Sequence, residues 1–441
     1  MVSLSNHRPI NNRPKGLFLQ NNLKGVIVKR SLIFIFVFIY VTFLNFLLFA
    51  SEEKLSYSID ELIEIAIKES SQLKAFKAGV DISKGELVQA SLYPNPEIEG
   101  EGLRGKALGG ESKSGKEYNF ILSQPFEWPL KRFYRKKVAG KDVDIAKLEL
   151  EEFKLDLTAQ VKTIFYEILK LQKELILSKE NLSDLEKVLS SIKVKVESGE
   201  ASEFELIKAQ VEVLRAEKEF KRAENKIIIS KSNLNSLLGK SLSEGFDVSG
   251  ELKIPAEQYD EIFLFDLALK RQPLLLQKES GLQKQQYNIS FQKNNRFPDI
   301  SLKTIFAREL DKRSFGFGLS LPLPLWNRNQ GEIAKASAEE RKAKEEFNQI
   351  KIELSKLITE ELVNYQTAAD QIEVFKKGLL AQAEEALRIA KLRYVEGESG
   401  LIDFLDAQRV YRQVSFEYYQ TLFEGNSSKA RLERLAGGEL R

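Results

Sequence analysis

The hydrophobic rhythm of the chain switches between a period of two and a period near 3.6, and each stretch predicts a different element. From Phe315 to Leu323 every odd position is large and apolar (Phe315, Phe317, Leu319, Leu321, Leu323), whereas Gly316, Gly318 and Ser320 are small or polar. Successive side chains of a strand point to opposite faces, so this segment predicts a strand with one face fit for lipid and one for a crowded or watery interior. Ile300–Ile305 is its expected partner. An earlier pair is expected at Glu97–Glu101 and Tyr118–Pro125. Polar loops, Gly105–Lys116 and Arg308–Arg313, separate the members of each pair, which gives four strands, two in each half of the chain.

The longest elements follow the strands. From Lys131 to Ser198 there is no proline and only one glycine, Gly140. Leu157, Val161, Ile164, Ile168, Leu171, Leu175, Leu182, Leu185, Leu189, Ile192 and Val196 step by four and three, with Ser178 breaking the series. That spacing is a coiled-coil seam, and a helix of this length would run about 100 Å. A second stretch, Arg328–Glu396, carries Ile358, Leu362, Tyr365, Ala369, Ile372, Leu379, Ala383, Ala386 and Ala390 in the same rhythm around Lys376. Helical turns at Gly199 and Gly397 should close the two stretches, each followed by a return helix.

The mature chain therefore repeats one pattern at a period near 200 residues, and we divide it at 51–255 and 256–441. Each half opens on a helical segment (Ile59–Lys68, Ile262–Lys270) and reaches an aromatic–proline break (Tyr93–Pro94, Phe297–Pro298) before its strands. Both tryptophans, Trp128 and Trp326, fall just past the second strand of their half, where an interfacial aromatic girdle would lie. A small soluble β-layer packed on helices is the competing reading. It would leave Phe315, Phe317 and Leu319 as an exposed apolar liability.

The first 50 residues differ from the rest. They hold six basic residues, Arg8, Arg13, Lys15, Lys24, Lys29 and Arg30, no acid, and an apolar run from Leu32 to Ala50. This reads as a secretory signal peptide over 1–50, with an uncleaved anchor as the alternative. Cleavage after Ala50 would leave 61 basic and 64 acidic residues, a balance of −3, which gives no electrostatic footprint for nucleic acid. The chain has no cysteine, and its single histidine (His7) and methionine (Met1) lie in the signal. Triad and thiolate catalysis, imidazole zinc sites and soft copper sites are excluded together, so no catalytic residue, metal site or cofactor is expected.

Four strands cannot close in lipid, because an open edge leaves backbone groups unpaired. Two copies would give eight strands and three would give twelve, and only the wider barrel leaves a useful lumen. At this point the chain resembles the TolC family of outer-membrane efflux proteins over nearly all of residues 55–437. The stretch Leu319–Ile333 is similar to the CzcC-like and CusC-like branch that serves heavy-metal efflux pumps, and Tyr394–Gln408 to the family's second helical turn; Val196–Gln210 is a weaker copy. The resemblance implies an α+β membrane protein: a homotrimer in the outer membrane, a twelve-stranded barrel in lipid, and a long periplasmic α-helical tunnel. It further implies a periplasmic adaptor (membrane fusion protein) and an inner-membrane transporter as partners. Tyr394, Asp403 and Asp406 match the family's periplasmic gate; Ser399 stands where a basic residue is expected, and the first half has Glu205 and Lys208 in place of the two aspartates. An inward Asp406 from each copy would form an acidic ring that admits cations. The plainer reading is that Asp403 and Asp406 cap and solvate a helix start.

Two glycine motifs are decoys. Gly100–Gly105 spells GxGxxG without a following helix, and Gly110–Lys116 approaches a P-loop but has Glu117 where a hydroxyl is needed. The leading functional expectation is a passive exit duct of a tripartite efflux pump, with heavy-metal cations as candidate cargo. The alternatives are the duct of a type I protein-secretion system and a pore-less periplasmic coiled-coil scaffold. Enzyme activity is not expected.

Overall fold

The computed structural model describes residues 56–106, 114–243, 245–253 and 257–440. The expected signal peptide, the tip of the first hairpin loop and most of the P-loop-like stretch lie outside these residues.

A two-residue strand β1 (Ser56–Tyr57) opens the described chain and pairs in parallel with β4 (Asp247–Val248). Helix α1 (Ile59–Glu69) starts at a capping box, in which the Ser58 hydroxyl accepts from the Glu61 amide and the Glu61 carboxylate accepts from the Ser58 amide at 2.9 Å. Helix α2 (Ser71–Ser91) ends before the prolines at 94 and 96, and the hairpin β2 (Glu97–Lys106) and β3 (Ser114–Phe126) follows. Pro129 occupies the first turn of α3 (Pro129–Glu197), where its missing N–H costs nothing. This helix runs unbroken for 69 residues. The return helix α4 (Glu203–Leu237) is capped by Ser202.

The same succession then recurs. Helices α5 (Glu261–Arg271) and α6 (Pro273–Asn295) lead to the hairpin β5 (Ile300–Arg308) and β6 (Arg313–Ser320). Helix α7 (Gln330–Val374) passes through a π-helical turn at Phe375–Leu379 into α8 (Leu380–Glu396), and α9 (Leu401–Ala436) returns. The two hairpins form one antiparallel sheet in the order β2-β3-β5-β6.

The core is divided among the helices. One apolar cluster joins Leu62 and Ala66 of α1 to Leu157, Val161 and Ile168 of α3 and Leu234 of α4. Its counterpart joins Leu264 and Ala268 of α5 to Ile358, Leu362 and Tyr365 of α7 and Leu432 of α9. The seam of α3 is buried at Leu157, Val161, Ile168, Leu171, Leu185 and Ile192. Ser178 is buried at the break and donates its hydroxyl to the Glu174 carbonyl at 2.8 Å.

Three expectations need correction. Strand β6 stops at Ser320, so Leu321 lies beyond it: Pro322 and Pro324 have no N–H to give a ladder. All four strands also start or end at positions other than those expected, and β2, β3 and β5 are longer. The second seam changes phase. Ala368 rather than Ala369 is buried, Leu379 and Ala386 are exposed, and below the π turn the apolar line continues through Phe375, Leu380, Ala383 and Leu387. The step of five from Phe375 to Leu380 is the extra residue of the π turn, which even spacing could not reveal.

Candidate functional site

Directly paired residues share a face of an antiparallel sheet, so the register sorts every strand side chain. Glu97 pairs with Ser123, Glu99 with Ile121 and Glu101 with Asn119; these continue across β5 to Lys303, Ile305 and Ala307, and across β6 to Gly318, Gly316 and Ser314. The other face takes Ile98 beside Leu122, Gly100 beside Phe120, and Gly102 beside Tyr118. It continues through Leu302 and Phe306 to Leu319 and Phe315, with Phe317 beside Thr304. Toward the helices this face is mainly apolar, interrupted by Thr304 and Gln124, and Phe315, Phe317 and Leu319 stand exposed on it; Arg104, Lys106, Lys116, Arg308 and Arg313 gather on the same face at the hairpin-loop end. The Phe315 ring contacts both Phe306 and Phe317 at 5.0 Å between centroids. The opposite face is mostly polar and carries Glu97, Glu99 and Glu101 in line on β2 and Glu117 on β3 against a single lysine, Lys303, on β5. The glycine-rich GxGxxG stretch is strand β2 itself, so no helix amides converge there to meet a phosphate.

A belt of aromatic and charged groups joins sheet to helices. The Trp128 ring stacks on Phe297 at 5.0 Å. Its amide donates to the Asp299 carboxylate at 3.1 Å, and the Lys131 ammonium donates to the same oxygen at 2.7 Å. Thus the first half's strand-to-helix corner is tied to the second half's helix-to-strand corner. The Arg135 guanidinium donates to the carbonyls of Ala90 and Leu92 and meets the nearly buried Glu127 carboxylate at 2.8 and 3.0 Å. It closes the last turn of α2, whose carbonyls would otherwise be orphaned. Arg132 donates to the Ser91 carbonyl and lies over the Tyr93 ring. Trp326, in contrast, is 87 % exposed.

At the far end both turns use the same hydrogen-bond pattern. Gly199 and Gly397 adopt left-handed φ of 78° and 76°. The Glu200 amide donates to the Lys195 carbonyl at 2.7 Å, and the Glu398 amide to the Arg393 carbonyl at 2.8 Å. Only Gly or Asn fits such a position without strain. The helix starts differ: Ser202 caps α4 with its side chain, whereas α9 begins at Gly400 with no side-chain cap.

The three residues matched to a gate occupy two different environments within one chain. Tyr394 is buried and stacks on Phe404 at 5.7 Å, in a cluster with Ile192, Ala209 and Leu401. The Lys195 ammonium lies 5.4 Å over its ring. Burial, and secondarily the charge of Glu205, raise the Tyr394 hydroxyl above the usual tyrosine range. Asp403 stands exposed in the first turn of α9, and Asp406 is exposed and ion-paired with Arg409 one turn on. Asp406 borders a polar groove between α3, α4 and α9 with Lys208, Arg215, Arg409 and Arg412, in which Arg412 meets Glu219 at 2.6 Å. The sequence does not single out these arginines: Arg215 and Arg409 sit in i,i+3 charge pairs that look like ordinary solvated faces, and the partner of Arg412, Glu219, lies 193 residues away.

Among the described residues no cluster of three or more His, Cys, Asp or Glu side chains is arranged to hold a metal ion. Among the same residues no helix is long and apolar enough to cross a membrane.

Comparison with known proteins adds four findings. A family profile described as outer membrane efflux protein matches residues 62–240 and 264–438. The chain is 24 % identical over 386 residues to the cobalt-zinc-cadmium resistance protein CzcC of Cupriavidus metallidurans, covering 86 % of this chain and 90 % of that one. It is 23 % identical over 424 residues to the pyoverdine export outer membrane protein OpmQ of Pseudomonas putida, covering 88 % and 87 %. Among solved structures, that of CusC, described in terms of folding and transmembrane channel formation, superposes with a TM-score of 0.74 at 17 % identity over 88 % of this chain and 93 % of that one.

Proposed function

The chain belongs to the outer membrane efflux protein family, and from that premise we propose that three copies close their sheets into one twelve-stranded barrel in the outer membrane. The long helices continue it through the periplasm as a conduit. The protein is a passive exit duct: an inner-membrane transporter supplies the energy, and a periplasmic adaptor links the two. The observation that carries this reading is the division of the sheet. One face is apolar and exposed over its helix-side part, as lipid requires, with basic residues only at the hairpin-loop end, and the other is mostly polar, as a lumen requires. Trp128 and Trp326 sit at the helix side of that sheet, where a headgroup layer would hold them.

The cargo is a small cation, with divalent heavy metals first among candidates. Glu97, Glu99 and Glu101 project from the polar face with one lysine, Lys303, on the same face. With Glu117 on the same face, three copies would line the exit with twelve carboxylates, and rings of carboxylates favour cations. A duct needs weak, transient contacts, so a mature chain without His, Cys or Met suits this task. The likeness to CzcC supports the same cargo. At the opposite end Tyr394, Asp403 and Asp406 form the gate, with Gly199 and Gly397 at the tips of the turns. Tyr394 anchors the second turn from within, and the two aspartates face the lumen.

Deletion of the chain followed by a screen against divalent metals, dyes, antibiotics and siderophore load tests the cargo. Metal-specific sensitivity is expected; sensitivity confined to siderophores, or loss of one exported protein, would overturn it. In planar bilayers Asp406→Ala should lower cation preference or widen conductance, and unchanged currents would remove Asp406 from the gate.

A further inference from the structure

Strands β2 and β6 are the outer strands of the sheet, each paired on one side only. Their side chains alternate in opposite senses. On the apolar face β2 presents Ile98, Gly100, Gly102 and Arg104, whereas β6 presents Arg313, Phe315, Phe317 and Leu319. On the polar face β2 carries Glu97, Glu99 and Glu101, while β6 carries Ser314, Gly316, Gly318 and Ser320. Each edge is bulky where the other is bare. The chain already uses this fit internally: Gly100 pairs with Phe120, whose ring would lie 3.2 Å from any Cβ placed there, and Gly102 pairs with Tyr118. A Cβ at Gly102 would meet only Tyr118, at 3.9 Å, and one at Gly316 would meet nothing within 4 Å. The bare positions therefore have room for a neighbour's side chains.

From this we propose that the edges of neighbouring copies join in one defined register, with Phe317 of one copy over Gly102 of the next. This rests on the three-copy barrel proposed above and adds what selects its seam. A straight row across one copy runs Glu97, Ser123, Lys303, Gly318. Closing three such sheets into a barrel requires each seam to be displaced, and only an even displacement keeps lipid-facing residues together. With strands about 4.8 Å apart and a rise of about 3.4 Å, displacements of two, four and six residues per copy tilt the strands by roughly 20°, 35° and 47°; barrels lie at about 35–45°. Two and four both pair all of β6 within β2, four from Arg313 beside Lys106 to Ser320 beside Glu99, whereas six would run β6 past Lys106; only four also gives a tilt in the barrel range. Four places Gly318 beside Glu101, Phe317 beside Gly102, Leu319 beside Gly100 and Phe315 beside Arg104. The last pair sets a cation against an aromatic face. An aromatic ring laid over a glycine at each of three seams buries backbone that would otherwise face lipid, and a slip of one residue would carry Phe317 into the lumen.

The chain has no cysteine, so engineered pairs report without background. In the full-length protein, Gly102→Cys with Phe317→Cys should oxidise to a covalent trimer more completely than either Gly100→Cys or Arg104→Cys combined with Phe317→Cys. Ile98→Cys with Leu122→Cys, which pair within one chain, is the control. Preferential cross-linking of the 100/317 or 104/317 pair would overturn this register while leaving the three-copy wall intact. Failure of all three between chains, with the control formed, would overturn the wall itself. A size swap gives an independent readout. Gly102→Phe should overfill the seam and lower the yield of heat-resistant trimer by about tenfold, and adding Phe317→Gly should restore most of it. Absence of restoration would contradict the pairing.

Discussion

The two long hairpins of this molecule descend from one pattern but are built to different tolerances. Helix α3 runs 69 residues without interruption, whereas its counterpart is broken by the π turn at Phe375–Leu379, in which Gly378 has a φ of 131°. An L side chain rarely adopts that conformation, and a single-turn π bulge absorbs one extra residue in an otherwise regular helix. Phe375 packs edge-on against Tyr418 of α9 and fixes the bulge from one side. The corners differ as well. In the first half, Arg135, Arg132 and Glu127 clamp α2 to α3 with charged groups. In the second, the same corner is held by amides: Asn329, itself at a left-handed φ of 59°, donates to the Gln292 carbonyl at 2.8 Å and to its side chain at 3.0 Å. A halved repeat thus keeps its apolar seam while its joints diverge. The stiff half carries the charged clamp. The half with the glycine bulge also carries Tyr394, Asp403 and Asp406 below it, so any motion of that hairpin has a natural place to begin.

Substitutions at these joints test the contrast. Tyr394→Ala should have the largest effect, about 3–5 kcal/mol, because it empties a buried ring site between α3, α8 and α9; Tyr394→Phe should be nearly silent in stability. Arg135→Ala should cost about 3 kcal/mol by leaving the nearly buried Glu127 carboxylate without its cation. Both are read as loss of heat resistance of the detergent-extracted assembly. Gly378→Ala should cost about 1–3 kcal/mol through backbone strain. Deleting Gly378 should instead be tolerated, since it turns the step of five into one of four and leaves the seam below in phase. If the deletion proves as damaging as the alanine, the bulge is not a simple insertion. Asn329→Ala should cost about 1–2 kcal/mol, because it removes neutral hydrogen bonds at an accessible corner and leaves alanine in a left-handed backbone.

A last difference appears only in alkali. The second core buries Tyr365, whose hydroxyl donates to the Glu257 carbonyl at 3.3 Å, where the buried members of the first core, apart from the phenylalanines, are aliphatic. Burial first, and then the charge of Glu257, push its ionisation from 10.0 up to about 12. A raised tyrosine contributes stability that is complete below pH 10 and lost as pH rises through about 12. Tyrosinate absorbance should show a late-titrating component, and Tyr365→Phe should diminish it by one tyrosine near that pH.

Much of this organisation could be read directly from the residues. The alternation Phe315, Phe317, Leu319 against Gly316, Gly318 fixes a strand with two unlike faces, and the fours and threes from Leu157 to Val196 fix a continuous seam. Both follow from periodicity, which is local, and the glycines at 199 and 397 mark turns because only they tolerate a left-handed backbone there. The π turn was not legible, since Phe375–Leu379 contains nothing that forbids an ordinary helix except one glycine. Nor was the end of β6, where Leu321 keeps the alternation although Pro322 ends the ladder. Tyr394, Asp403 and Asp406 are neighbours by pattern, yet one ring is buried and two carboxylates are exposed. Which side of a helix meets which neighbour depends on contacts between segments up to 282 residues apart, such as Arg434 with Glu152. Spacing along a chain determines which element forms and which face is apolar; where those faces meet, and which buried charges are left to pair, is decided only when distant segments pack.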